Sequence, residues 1–494
     1  MKLKELLKEL PYQCQKNIEE ADITDIIYDS RKVQKGCLFV CLVGAKLDAH
    51  IYAKEALEKG AKAILAEQKI EEELYKNHII IEVENTRKAL AILSAAYFQY
   101  PAKQMTTIAI TGTKGKTTTA YMTKAILEKA GKKVGIIGTI GAFYKDIKIE
   151  TKNTTPESYE LQKILRQMAD ENITHVVMEV SSQAFKTFRV EGMEFDYGLF
   201  TNISPDHIGE GEHKDFEEYL FYKSQLFQHC RIGILNQDDE KWKEVLKNHT
   251  CEEKTFGLMS KEIEGTTILK GSDVRCIREQ GFIGISFHIS GGYEMDLKVG
   301  SMGRFNVYNA LGAISVAYLE GVKEEDIKEA MYHMAVRGRM ETVNVSDKVH
   351  LIIDYAHNAM STESLLTTIL EYEPGRLVCV FGAGGNRSKL RRYDMGEIAG
   401  KYADISILTA DNPRFEEVED IIKDIKIGME KSHGNYIEIP NRKEAIRYSI
   451  EHAQDGDIIV LFGKGHEDYQ EIKGVRYPFD ERVVIKGILE DLKK

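Results

Sequence analysis

The run Thr111-Gly-Thr-Lys-Gly-Lys-Thr-Thr-Thr119 follows the apolar stretch Ile108-Ala-Ile110 and precedes a helix-patterned stretch ending near Gly131. It therefore reads as a strand, a phosphate-cradling turn and a helix N-terminus. Gly112 and Gly115 let backbone N–H groups approach phosphate oxygens, and Thr113, Lys114 and Thr118 belong to the same loop. The helix dipole favours negative charge, Lys116 reaches the terminal phosphates, and the Thr117 hydroxyl suits Mg2+. The pattern predicts a user of ATP or GTP. The usual first glycine of such a loop would fall at Ile110, so a shortened loop is expected.

A chain of 494 residues, 43% hydrophobic and 29% charged, is globular in composition and long enough for about three domains. Its net charge of −11 argues against a general nucleic-acid binder and leaves room for a local basic pocket facing an anionic small molecule. Seven cysteines without a close Cys-x-x-Cys pair fit reduced thiols. The stretch Met1-Lys-Leu-Lys-Glu-Leu-Leu-Lys-Glu-Leu10 reads as an amphipathic helix, not a signal peptide. No apolar run approaches the ~20 residues that span a bilayer, so a soluble, cytoplasmic protein without membrane insertion is expected.

Up to about residue 100, short apolar runs (37–43, 63–65, 79–83) alternate with helical patterns (53–59, 87–97), a small α/β unit that ends near Pro101. Strands of a parallel sheet are expected at 107–110, 134–137, 175–180, 197–202 and 232–236, and an antiparallel appendage at about 255–300. Helices at 306–319 and 325–334 follow, and Arg337-Gly-Arg-Met-Glu341 reads as a hinge. Apolar runs at 351–353, 377–381, 405–408 and 458–462, separated by helical patterns, make a further α/β sheet. The expected domains are 1–100, 101–336 and 337–494.

Met178-Glu-Val-Ser-Ser-Gln183 and Phe200-Thr-Asn-Ile-Ser-Pro-Asp-His207 close successive strands of the central unit. The carboxyl edge of a parallel sheet is where ligands bind, so Glu179 and His207 are placed to converge on a metal and on phosphates held by the loop.

With Arg304-Phe-Asn-Val-Tyr-Asn309, Gly338-Arg-Met-Glu341 and Asp354-Tyr-Ala-His357, these motifs make a full-length set that resembles the Mur ligases, ATP-dependent amide-forming enzymes of peptidoglycan synthesis. The resemblance implies a three-domain α/β architecture with a central phosphate-loop ATPase domain and a C-terminal Rossmann-like domain. Asp29-Ser-Arg31, Leu38-Phe-Val40, Asn153-Thr-Thr-Pro156 and Glu179-Val-Ser-Ser182 are similar to the branch that adds the third residue of the peptide stem. It implies ATP, Mg2+, UDP-N-acetylmuramoyl-L-Ala-D-Glu and a diamino acid as reactants, and a monomer.

Residue by residue, the resemblance assigns Ser30, Asn153, Thr154, Thr155, Ser181 and Arg189 to the muramoyl-dipeptide, whose hydroxyls, amides and carboxylates suit such side chains. It assigns Asn309, Arg339, Asp354 and His357 to ATP beside the loop, and Lys116, Glu179, His207 and Lys223 to catalysis. Lys223 aligns with a lysine that is N6-carboxylated in this family. A carbamate there would join Thr117, Glu179 and His207 as a metal ligand. From its own context Lys223 reads as a solvated helix charge.

Gly382-Ala-Gly-Gly-Asn-Arg387, Asp411-Asn-Pro-Arg414 and Gly463-Lys-Gly-His-Glu467 have the form of the meso-diaminopimelate-adding members. Arg387, Asn412, Arg414, Gly463 and Glu467 are then the amino-acid residues, with Arg414 meeting the distal carboxylate and Glu467 the distal ammonium. Asp206-His-Ile-Gly-Glu-Gly-Glu-His213 and Gln183 depart from common family forms, and the first of these resembles some lysine-adding members. Addition of L-lysine is thus the near alternative, and a regulatory ATPase is the alternative of another class.

Overall fold

The computed structural model describes residues 1–44, 47–209, 211–259 and 261–492. The chain packs as two compact units, Met1–Leu269 with Leu311–Val322 and Lys270–Ala310 with Lys323–Lys494.

The first unit contains two sheets. Strands β1 (Ile26–Ile27), β2 (Leu38–Val40), β3 (Ala63–Ala66) and β4 (Ile79–Glu82) lie in that order and all pair in parallel. The second sheet is built from β5 (Thr106–Thr111), β6 (Val134–Gly138), β7 (Gly141–Tyr144), β8 (Ile147–Ile149), β9 (His175–Glu179), β10 (Phe195–Phe200), β11 (Cys230–Asn236) and β12 (Glu252–Gly257). Their spatial order is β12-β11-β10-β5-β9-β6-β7-β8. The run β12 to β6 is parallel, as continuous apolar strands with helical crossovers require, and β7 and β8 add antiparallel at the edge. Ile108, Ala109 and Ile110 are fully buried, so β5 is the core of this sheet.

That order decides where the chemistry lies. With β5 between β9 and β10, the phosphate loop leaves the sheet between Glu179 on one side and Thr201 and Asn202 on the other. The register pairs Ile110 with Glu179 and Thr111 with Phe200. Tyr159 Oη donates to Asp25 at 2.5 Å and Tyr28 Oη to Glu160 at 2.6 Å, which fixes the small sheet against Ser158–Asp170, the helix that follows the Asn153 stretch.

In the second unit, β13 (Thr267–Glu279), whose first residues belong to the other unit, neighbours β14 (Phe282–Gly291), which pairs antiparallel with β15 (Met295–Val299). A further sheet has the order β16-β17-β21-β18-β19-β20. Its strands are β16 (Glu341–Asn344), β17 (His350–Asp354), β18 (Leu377–Phe381), β19 (Ile405–Leu408), β20 (Tyr436–Glu438) and β21 (Ile458–Phe462), parallel apart from β16. A hairpin of β22 (Tyr469–Ile472) and β23 (Val475–Pro478) follows.

Two expectations need correction. The N-terminal helix covers only Leu3–Leu6. Leu3, Leu6, Leu7 and Leu10 are all buried, but Pro11 cannot continue a helix, and the Met1 amino group is held at Ile23 O, 3.0 Å away. The antiparallel texture expected from about 255 begins later, because Glu252–Gly257 extends the parallel sheet beside β11.

Arg442 and Glu481 form a fully buried ion pair at 2.7 Å. Arg442 also donates to Ala410 O at 3.0 Å and Phe462 O at 3.3 Å, tying the carboxyl ends of β19 and β21 together. Removing one partner of a buried pair strands the other charge. Arg442→Met is expected to lower stability by about 3–5 kcal/mol, read as an earlier denaturant midpoint in the unfolding transition of this unit. An unshifted midpoint would contradict the clamp.

Candidate active site

Gly112 has φ +148° and Gly115 φ +86°, and the helix Lys116–Lys129 starts directly after Gly115. A Cβ at Gly112 would sit 2.0 Å from Thr201 Oγ1, so glycine is required by close approach. The loop is pinned to the end of β10. Thr113 N donates to Asn202 O at 2.8 Å, Lys114 N to Asn202 Oδ1 at 2.9 Å, and Thr201 Oγ1 to Lys114 O at 2.7 Å. Thr118, in the first helical turn, is buried.

Two lysines point at this loop. Lys116 Nζ donates to Gly112 O at 2.8 Å and Thr113 O at 3.0 Å. Lys223, from the helix Phe216–Ser224, donates to the same Gly112 O at 2.8 Å and is 1% exposed. Its amine also lies 4.6 Å from the centre of the Tyr219 ring. Burial, reinforced by the Lys116 charge, holds the Lys223 amine well below the usual lysine range. The solvated-charge reading of Lys223 is therefore wrong. Its helix face turns inward.

Glu179 is 1% exposed and accepts from Thr117 Oγ1 at 3.0 Å, Thr139 N at 2.9 Å and Thr139 Oγ1 at 3.2 Å. Gly138 makes room for it, since a Cβ there would meet Glu179 Oε1 at 2.1 Å. His207 lies apart from this cluster in its contacts. Its side chain is 53% exposed, and Nδ1 is 3.0 Å from Glu212 Oε1. It is held at φ +53°. Residue 210 of the 206–213 stretch lies outside the described residues.

Three of the residues expected to hold the muramoyl-dipeptide, Thr155, Ser181 and Arg189, meet directly, and Thr154 reaches the Glu179 cluster through Thr139. Thr154 Oγ1 is 3.1 Å from Thr139 Oγ1, Thr155 Oγ1 donates to Glu179 O at 3.0 Å, and Ser181 N donates to Thr155 Oγ1 at 3.1 Å. Arg189 Nη1 donates to Thr155 O at 3.0 Å and pairs with Glu157 at 2.9 Å. Asn153 is an exposed neighbour of this set. Ser30 opens the short helix Ser30–Lys32 after β1, and its carbonyl accepts from Lys59 Nζ at 3.1 Å.

In the second unit, Asn309 is buried near the start of its helix and donates to Asn306 Oδ1 at 2.7 Å. Arg339 and His357 gather round Tyr355. The Arg339 guanidinium is 5.3 Å from the ring centre, and His357 Nδ1 is 2.8 Å from Tyr355 O. Asp354 accepts from Met340 N at 2.8 Å and Ala356 N at 2.7 Å, and burial pushes its carboxyl up.

The segments expected to hold the amino acid converge at the carboxyl edges of β18, β19 and β21. Asn412 Nδ2 donates to Glu467 Oε2 at 2.8 Å, and Glu471 N donates to Asn412 Oδ1 at 2.9 Å. Arg414, left-handed at φ +53°, donates through Nη1 to Gly385 O at 2.8 Å and pairs with Glu471 at 3.4 Å. A Cβ on Gly384 would lie 3.7 Å from both Arg387 Cγ and Arg414 Nη1, so the exposed Arg387 borders the same loop. Gly463, at φ +112°, leaves space beside Asp411 Oδ2, which a Cβ would meet at 2.3 Å.

Three family models match the chain. They are described as Mur ligase family, catalytic domain (residues 22–98), Mur ligase middle domain (110–317) and Mur ligase, glutamate ligase domain (338–465). A UDP-N-acetylmuramoyl-L-alanyl-D-glutamate–2,6-diaminopimelate ligase of Clostridium botulinum is 42% identical and aligned over 100% of both chains. The chain belongs to the Mur ligase family. The like-named protein of Caldanaerobacter subterraneus is 39% identical, again over 100% of both. A solved structure of a ligase with this name superposes with a TM-score of 0.74 at 26% identity, covering 100% of this chain and 99% of that one.

Residues of this Mur ligase that sequence reasoning missed are Thr139, which grips Glu179, and His213. His213 is fully buried, with Nε2 2.8 Å from Ser182 Oγ and its backbone N donating to His207 O at 3.0 Å. A polar residue directly after an apolar strand was the available signal for Thr139. Gly112→Ala would force a side chain against Thr201. The expected result is a folded protein whose affinity for a non-hydrolysable ATP analogue, measured by calorimetry, falls roughly tenfold or more; unchanged affinity would refute the close-approach argument.

Proposed function

We propose that the chain joins an amino group of meso-diaminopimelate to the D-Glu side-chain carboxylate of UDP-N-acetylmuramoyl-L-Ala-D-Glu, coupled to cleavage of ATP to ADP and phosphate. The observation that carries this reading is that the segments bearing Asn412, Arg414 and Glu467 meet at one sheet edge, where Asn412 Nδ2 donates to Glu467 Oε2 at 2.8 Å and Glu471 both donates from its N to Asn412 Oδ1 and pairs with Arg414. A guanidinium and a carboxylate there suit an amino acid with an extra carboxylate and an extra ammonium. Lysine offers no distal carboxylate, so the Arg414 guanidinium, held here by Gly385 O and Glu471, would make no charge-assisted bond to that substrate. We also assign the domain limits 1–100, 101–336 and 337–494, which rest on the turn at Pro101 and on reading 337–341 as a hinge from its sequence.

In the first step a carboxylate oxygen attacks the γ-phosphorus, the bond to the β,γ-bridging oxygen breaks and ADP leaves. In the second step the amine attacks the acyl carbon, phosphate departs and the nitrogen gives up a proton. Carboxylate and triphosphate repel, so the site must supply positive charge and hold both partners in line. Lys116 and the loop amides serve the phosphates, and Thr155, Ser181 and Arg189 hold the dipeptide end. Thr117 Oγ1 and the Glu179 carboxylate are hard oxygen donors 3.0 Å apart, a donor set that fits Mg2+. They would hold the ion, with a carboxylated Lys223 as a further ligand; His207, bonded to Glu212 here, would join them only by turning its side chain from Glu212. When bound, Mg2+ neutralises charge on the phosphoryl oxygens.

We infer that Lys223 is N6-carboxylated. Its buried amine favours the neutral form, the nucleophile that adds to CO2, and the product anion replaces repulsion from Lys116 with attraction.

ADP release with ATP, Mg2+ and the muramoyl-dipeptide is expected with meso-diaminopimelate and not with L-lysine or without an amino acid. In Arg414→Ala the preference over lysine should collapse. Turnover with lysine alone would overturn the pocket assignment, and release indifferent to either amino acid would point to a regulatory ATPase. In 13C NMR with labelled bicarbonate, a carbamate signal is expected that Lys223→Arg abolishes; its absence from the wild type would reject the modification.

A further inference from the structure

Lys464 lies between Asn412 and Glu467, two of the residues assigned to the amino acid. Its side chain is 0% exposed, yet it is a lysine on the loop that follows β21. Its Nζ donates to Asn412 Oδ1 at 3.2 Å and to Glu467 Oε2 at 3.3 Å, and lies 5.6 Å from the centre of the Tyr469 ring. Asn412 Nδ2 donates to the same Glu467 Oε2 at 2.8 Å. Both donors therefore meet one oxygen of the carboxylate. Among the described residues no protein donor meets Oε1, and the Glu467 side chain keeps 16% of its surface open.

We propose that Lys464 is a positioning residue for the entering diamino acid, holding Glu467 by Oε2 so that Oε1 is presented as an anion to a ligand ammonium group. This rests on the reading of Arg414, Asn412 and Glu467 as the amino-acid pocket.

The electrostatics around Glu467 show why a buried cation is needed. Burial favours the protonated carboxyl, and Asp411 adds repulsion. The Tyr355 and Tyr469 phenols also face it and contribute no positive charge at neutral pH. Lys464 is the cation that opposes these effects, with the Asn412 amide assisting. A protonated Glu467 would offer a neutral acceptor, and a charge-assisted hydrogen bond to the ligand would be lost. The Lys464 side chain is fully buried behind Asn412 and Glu467, so its influence on the reaction runs through the conformation and charge of Glu467.

The test compares Lys464→Met, Lys464→Arg, Glu467→Gln and the Lys464→Met/Glu467→Gln double variant. KM for meso-diaminopimelate and kcat are measured from neutral to alkaline pH, each as a ratio to wild type at the same pH. In Lys464→Met, KM for the diamino acid is expected to rise on the order of ten- to a hundredfold near neutral pH. KM for ATP and for the muramoyl-dipeptide should stay within about twofold, and the defect should shrink as alkaline pH ionises Glu467. Lys464→Arg should recover most of the loss. On the Glu467→Gln background, Lys464→Met should add little, because both act on one contact.

A pH-independent KM defect, additive losses in the double variant, or equal effects on all three substrates would overturn the proposal. Should Lys464→Met fail to fold, Lys464→Gln carries the same expectation, and an unchanged KM there would overturn it too. Wild-type protein that no diamino acid stimulates would instead bring down the pocket reading itself.

Discussion

Two lysine amines share one carbonyl oxygen in this protein. Lys116 and Lys223 both donate to Gly112 O at 2.8 Å, in the phosphate loop. A cation for the terminal phosphates is needed there. A second one, buried and beside the first, costs several kcal/mol unless it loses its proton or changes its sign. The chemistry proposed for Lys223 resolves that conflict, and the surrounding structure is arranged to keep the conflict in place. Tyr219 closes over the amine, Thr113 Oγ1 is 3.0 Å from the Tyr219 hydroxyl, and Asn202 fastens the loop from the far side.

The arrangement follows from sheet order. Because β5 lies between β9 and β10, one loop meets Glu179, Thr201 and Asn202 with no long connection. The sheet of the second unit repeats the logic, with β21 between β17 and β18 bringing Tyr355, Gly463 and Gly382 to one edge. Non-glycine residues in the left-handed region recur at these edges: His207, Met340, Asn386 and Arg414. Such conformations cost of order 1–3 kcal/mol each. They persist where neighbouring bonds over-determine them, as Arg414 N donating to Glu471 O at 3.0 Å does.

Much of this was legible in the sequence, for identifiable reasons. Parallel strands buried on both faces read as unbroken apolar runs, so β5, β9, β18, β19 and β21 stand out with near-correct limits. The phosphate loop has a composition few other turns need. What the sequence hides are contacts whose signal lies in three dimensions. Nothing in Glu218-Tyr-Leu-Phe-Tyr-Lys223 tells which face of the helix is buried, because aromatic residues stand on several sides of it. Lys464 is equally silent, since its partners are three and fifty-two residues away. The N-terminal leucines misled because burial in a compact turn and burial along a helix face use the same residues.

The claim that binds these parts together is that the loop, its lysines and Arg189 bring a substrate carboxylate against the γ-phosphate of ATP. The most direct test labels the D-Glu side-chain carboxylate of UDP-N-acetylmuramoyl-L-Ala-D-Glu with 18O and follows the released phosphate by mass spectrometry during turnover with diaminopimelate. If the acyl phosphate forms, the bridging oxygen departs with phosphate and the label appears there in step with amide formation. Phosphate that stays unlabelled while ADP accumulates would contradict the account.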